Sequence, residues 1–238
     1  GALGTISAEL FARAGVQQLT IIDRDVVELT NLQRQLLYTE QDVGKAKAQV
    51  IKEHLQRINS QIKILTHPIH LDSSNINILK NHNLIIDATD NLTTRFIIND
   101  YAKKNGIPWI YGAALKDQGY VMPIYPNKNE PCLSCFLKPA ELETCDISGV
   151  LNTTTTIIGA IQTQLAIQIL TSNTTPSQFK TLTIPIKSRL PKSNLTHINL
   201  NNLVMKNFKI TPSKNCPTCQ KKYPHLTKRE NQNRYRTR

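Results

Sequence analysis

"GALGTISAELFARAGVQQLTIID", residues 1–23, decides the fold. Gly1 and Gly4 open an apolar helix pattern over residues 4–14, and Gly15 is placed to stop it. "QLTIID" (18–23) then reads as a β-strand ending on an acid. Glycines, helix and acid-ended strand form the later part of a strand, G-x-G-x-x-G, helix, strand unit. In that reading Gly1 and Gly4 are the second and third glycines, and Asp23 is the acid that accepts hydrogen bonds from ribose hydroxyls. The helix N-terminus would supply backbone N–H groups to phosphate. A tight turn made by ordinary glycines is the alternative. The chain is expected to be a fragment that begins inside this motif, without the first, central strand.

The rhythm continues downstream. Residues 43–58 carry helical spacing at Val50, Ile51, Leu55 and Ile58, and "IKILTHPI" (62–69) is a strand. "DSSNINILKN" (72–81) opens with N-cap residues and reads as a short helix. "NLIIDATD" (83–90) is a short apolar run ending in polar residues, as buried parallel strands do. A helix over 91–104 stops at Gly106, and "PWIYGAA" (108–114) is the next strand. The alternation predicts an α/β fold with a doubly wound, Rossmann-like, mostly parallel sheet.

After residue 115 the pattern changes. "QGYVMPIYP" (118–126) reads as antiparallel. Residues 153–170 place Ile158, Ile161, Leu165 and Ile169 on one stripe of a buried helix. "FKTLTIPIK" (179–187) and "LVMKNFKI" (203–210) are expected to form a terminal antiparallel strand pair.

A length of 238 residues suits one domain with small appendages. No apolar run is long enough for a membrane span, so the cytoplasm is the expected compartment. There five cysteines favour metal or thiol chemistry over structural disulfides. Net charge is +12, and much of the excess lies in "KKYPHLTKRENQNRYRTR" (221–238). That stretch reads first as a solvated basic tail. Binding nucleic acid is a weaker alternative, since no recognised motif precedes it. A basic body can also steer an acidic protein partner.

"NLQRQ" (31–35), "GKAK" (44–47) and "DATDN" (87–91) place cations and an acid at strand–helix junctions. Arg34 can grip phosphate oxygens bidentately, and a lysine acts on a polyphosphate as a point charge. Asp90 follows an apolar strand, at the sheet edge where ligands bind, and an acid facing phosphates would hold Mg²⁺. Adenylyl transfer needs such charges because negative charge builds at the α-phosphorus as pyrophosphate leaves. Taken singly, Arg34, Lys45 and Lys47 also read as ordinary surface charges.

"PCLSC" supplies Cys132 and Cys135, and "NCPTC" supplies Cys216 and Cys219. Two such knuckles can complete a tetrahedral Zn²⁺ shell. Redox-active pairs and free buried thiols are the competing readings. Cys145, in "ETCDISGVL", is left over. It is a small buried hydrophobe or, in a polar loop ahead of a helix start, a thiol of depressed pKa.

"GALG", "TIIDRDVVELTNLQRQ", "VGKAKAQ", "LIIDATDN", "PWIYGA", "PCLSC", "TCDISGVL" and "CPTC" follow one another along nearly the whole chain. The ordered set resembles the ThiF/MoeB family of adenylyltransferases, bacterial relatives of ubiquitin-activating enzymes, and the tail "CPTCQKKYPHL" looks most like ThiF-type members. The resemblance implies that Gly1, Gly4, Asp23, Asn31, Arg34, Lys47, Asp90 and Asn91 contact Mg·ATP, and it selects Lys47 over Lys45. It implies that residues 1–222 form one adenylyltransferase domain, lacking its first strand and an N-terminal arm, with 223–238 as a flexible basic tail. It also implies a structural Cys₄ zinc site and a homodimer. The substrate would be the C-terminal Gly-Gly carboxylate of a ubiquitin-like sulfur carrier, ThiS-like or MoaD-like, serving thiamin or molybdopterin biosynthesis. Cys145 would match the cysteine that ThiF-like enzymes link covalently to the carrier. Two other functions compete: an NAD(P)-dependent oxidoreductase on the same loop, and a non-catalytic zinc protein that binds nucleic acid.

Overall fold

The computed structural model describes residues 1–138, 149–172 and 190–227. The chain enters helix α1 (Ala2–Ala14), which is capped by Gly15 in the left-handed conformation at φ 77°. Strand β1 (Gln18–Ile22) follows, then helix α2 (Lys47–Ile58) and strand β2 (Lys63–His67), which pairs parallel with β1. The segment 72–81 forms only a 3₁₀ turn, Ile76–Leu79. Ile76 and Leu79 are nevertheless buried, so the turn anchors the crossover to the core.

The second half is built on a five-stranded sheet. Strand β3 (Ile85–Ile86) pairs parallel with β4 (Trp109–Leu115), and helix α3 (Leu92–Asn105) crosses between them. Strands β5 (Gln118–Ile124), β6 (Asn194–Asn199) and β7 (Val204–Lys209) complete it in antiparallel order. The expected partner of β7, residues 179–187, lies outside the described residues. Instead β7 pairs with β6, a strand the sequence reading misses. "NLTHIN" has no apolar alternation to signal it, because only Ile198 of the strand is buried.

Helix α4 (Asn152–Ser172) lies against α1, β4 and β5. Its predicted stripe holds: Ile158 and Ile169 are buried, and Ile161 and Leu165 pack against the same core clusters. Gln162 is also fully buried, beneath Gly112 of β4, where an added Cβ would stand 2.3 Å from the amide. Residues 224–227, read as the start of the tail, form a single helical turn, α5, docked on α3. There His225 stacks on Phe96 and bonds Asp100 through Nδ1 at 3.0 Å.

Among the described residues β1 and β3 are each the outermost strand of their own sheet. They run along opposite sides of a cleft of about 2500 Å³. The His82 Nε2 to Thr20 Oγ1 hydrogen bond, 2.8 Å, ties the two sides together. No described helix is long and apolar enough to cross a membrane.

Candidate active site and cysteine centre

The upper part of the cleft lies at the carboxyl ends of β1 and β3. Gly1, Gly4, Asp23, Asn31, Arg34, Lys47, Asp90 and Asn91 all line it. Each arrives by a different local device. Gly1 caps the N-terminus of α1, whose first N–H groups have no intrahelical acceptor. Gly4 lets α1 approach the segment just after β3, since an added Cβ would come 3.2 Å from Cβ of Ala88.

Asp23 extends from the end of β1. Its carboxylate accepts the Asp25 N–H at 3.0 Å and faces the Gly1 nitrogen at 3.1 Å. Asn31 is buried at the end of a 3₁₀ turn, its side chain accepting from the Glu28 N–H at 3.3 Å. Arg34 lies one turn further, with Nη1 donating to the Thr30 carbonyl at 3.2 Å.

The two lysines separate clearly. Lys47 is buried at the first position of α2, and its Nζ reaches Asp25 at 3.2 Å. Lys45 is 58% exposed and is paired loosely with Asp42 at 3.8 Å, away from the cleft lining. Tyr38 joins the lining: burial, reinforced by Asp23, Asp42 and Asp25, pushes its phenol well above the usual range, so it stays protonated and donates to the Lys47 carbonyl at 3.3 Å.

Asp90 is exposed at the tip of the loop between β3 and α3. Asn91 caps α3 by accepting the Thr94 N–H at 2.8 Å. Among its lining groups the cleft therefore holds the N-terminal end of α1, the cations Arg34 and Lys47 and the acids Asp23 and Asp90. That donor set suits a nucleotide: amides and cations for phosphates, one acid for ribose hydroxyls, and Asp90 for a divalent ion.

Beneath Asp90 lies a group absent from the sequence reading. Asp87 is fully buried and faces Arg95 Nε at 3.0 Å. The signal for it was present: an acid inside an apolar strand end requires a partner, and Arg95 stands one helical turn after the Asn91 cap.

The four paired cysteines meet on the far side of α3. Sγ distances are 3.9 Å for Cys132–Cys135, 3.5 Å for Cys132–Cys216 and Cys135–Cys219, and 3.6 Å for Cys132–Cys219. A tetrahedral thiolate shell at a Zn–S distance of about 2.3 Å has its sulfurs roughly 3.8 Å apart, so the quartet fits such an ion. Disulfide-bonded sulfurs would lie about 2 Å apart, and all four cysteines are free. Bonds from its neighbouring sulfurs, Cys135 first, together with burial, raise the Cys132 thiol. The knuckles are braced by backbone N–H groups: Cys132 to Cys135 Sγ at 3.4 Å, and Cys219 to Cys216 Sγ at 3.5 Å. Asn99 of α3 accepts the Leu133 N–H at 2.9 Å, and Asp100 accepts the Thr218 hydroxyl. These bonds pin both knuckles to one helix. Cys145 lies outside the described residues.

The chain is similar in sequence and in fold to known proteins. The profile of the ThiF family matches residues 1–218. The sulfur carrier protein ThiS adenylyltransferase of Bacillus subtilis is 41% identical over 176 residues, covering 72% of this chain and 52% of its own. The adenylyltransferase and sulfurtransferase MOCS3 of Aedes aegypti is 36% identical over 234 residues, covering 96% of this chain and 50% of its own. The chain spans about half the length of these relatives. Among solved structures, E. coli MccB with ATP superposes with a TM-score of 0.74 at 21% identity, over 92% of this chain and 63% of that one, a likeness of fold. A profile match along nearly the whole length, joined to identities of this size, places the chain in the ThiF family.

Proposed function

We propose that this protein adenylates the C-terminal carboxylate of a ubiquitin-like sulfur carrier protein ending in Gly-Gly. The observation that carries the reading is that Arg34, Lys47 and Asp90 line the same cleft as Gly1, Gly4 and Asp23. The Bacillus subtilis relative, a sulfur carrier protein ThiS adenylyltransferase, supports it.

The carrier carboxylate is already an anion and needs no base. A carboxylate oxygen attacks the α-phosphorus of ATP, and the bond to the bridging oxygen breaks. The products are the acyl-adenylate and pyrophosphate. Lys47 and Arg34 balance charge on the departing phosphates, and the fixed N–H groups of α1 orient the chain of phosphorus atoms. Asp23 holds the ribose. Asp90 would hold Mg²⁺, which screens phosphate charge when bound. Cys145 is the proposed acceptor of the activated acyl group: its thiolate would attack the acyl carbon and release AMP. Zinc in the cysteine quartet would be structural, with all four positions filled by protein.

Isotope exchange between pyrophosphate and ATP tests the reading. Exchange that requires Mg²⁺ and a Gly-Gly-ended ThiS-like or MoaD-like carrier supports it. No exchange with either carrier, for protein shown to bind ATP, would refute it.

A further inference from the structure

Asp90 is exposed, but the residues on both sides of it are held from beneath. Asn91 is fixed as the cap of α3. Thr89 is fixed twice: its N–H and hydroxyl donate to Asp87 Oδ1 at 2.9 and 2.7 Å, and its carbonyl accepts from Arg95 Nη2 at 2.5 Å. The same Nη2 donates to the Gly112 carbonyl on β4 at 3.1 Å. Arg95 Nε faces the second oxygen of Asp87, and the guanidinium lies 5.3 Å from the Tyr111 ring centroid. From the other side, Gln162 of α4 donates to the Asp87 carbonyl at 2.8 Å. One guanidinium therefore joins the Asp90 loop, the Asp87 side chain and strand β4.

We infer that Arg95 is a positioning residue: it holds the 87–91 loop at the height from which Asp90 reaches a metal bound to the nucleotide phosphates. The inference rests on the ATP-site reading above. A lysine can keep the charge opposite Asp87, but its single nitrogen cannot also bond the Thr89 and Gly112 carbonyls in a fixed plane. Arg95→Ala would strand a buried carboxylate and threatens folding itself, so Arg95→Lys is the informative variant.

The test is Mn²⁺ binding in the presence of a non-hydrolysable ATP analogue, followed by electron paramagnetic resonance, with a thermal melt on each protein. R95K is expected to fold, to bind the metal-free analogue as wild type does, and to bind Mn²⁺ about 10- to 100-fold more weakly, as when a partner that orients a metal ligand is lost. In a D90N background the same change should have no further effect on Mn²⁺, because the group being positioned is gone. Wild-type Mn²⁺ affinity in R95K, an equal loss in the D90N background, or failure of R95K to fold would each overturn the inference. Wild-type protein that binds no nucleotide would sink the ATP-site reading instead.

Discussion

Sγ of Cys132 stands 3.5 Å from Sγ of Cys216, a residue 84 positions further along the chain. Two short knuckles from distant loops have been brought to metal-ligand spacing, and the nearby polar contacts serve to hold them there. Asn99 of α3 bonds both knuckles, and Asp100 accepts from the second. A bond network of this kind aligns the cysteines, and the ion would then cross-link the C-terminal segment to the α/β body.

Metal analysis is expected to find one zinc per chain. Replacing Cys132 or Cys216 by serine should abolish tight retention and lower stability by several kcal/mol, on the order of 3 or more, because metal-binding free energy is folding free energy. Full metal content in both variants would remove the quartet as the site.

The two neighbouring lysines should behave differently. Lys47→Ala takes a buried cation out of the cleft, and pyrophosphate exchange is expected to fall about 10²- to 10³-fold, the scale seen on removing one group that stabilises developing charge. Lys45→Ala removes an exposed, weakly paired charge and should change the rate less than about fivefold. Equal losses would dissolve the distinction.

Asp42 provides a pH prediction. Its carboxylate accepts from the Thr39 N–H at 2.9 Å and the Thr39 hydroxyl at 2.8 Å, with His54 Nε2 at 3.4 Å. Burial would raise its pKa, but these contacts and Lys45 bring it below the usual value. A lowered folded pKa means that the stabilisation is present at pH values above the unfolded carboxyl's, about 3.9, and is lost as pH falls through the folded value. Asp42→Asn is expected to cost about 2 kcal/mol at neutral pH. The gap from wild type should close in acid, as measured by urea unfolding across pH.

Gly112→Ala tests how tightly β4 sits on α4. The new methyl would meet Gln162, whose amide is engaged with the Asp87 and Ile110 carbonyls at 2.8 and 3.3 Å. Overpacking of this kind costs about 1–3 kcal/mol, visible as a lowered melting temperature. An unchanged melt would mean that the amide moves freely.

Much of this molecule was legible locally. The helix stops at Gly15 and Gly106, the strands that end on Asp23 and on the Asp87–Asp90 run, and the stripe of α4 follow from residue type and period. Such signals are carried by neighbours in the chain, so no long-range information is needed. By itself the sequence thus determined the α/β order, the positions of the glycines and acids, and the presence of two cysteine knuckles. Tertiary structure alone decided that Lys47 turns into the cleft while Lys45 faces solvent, two residues away. It alone paired β6 with β7, brought four sulfurs together, and set Arg95 under the Asp90 loop. Each of these depends on which surfaces meet across tens of residues, and burial and hydrogen-bond partners exist only once the chain has closed on itself.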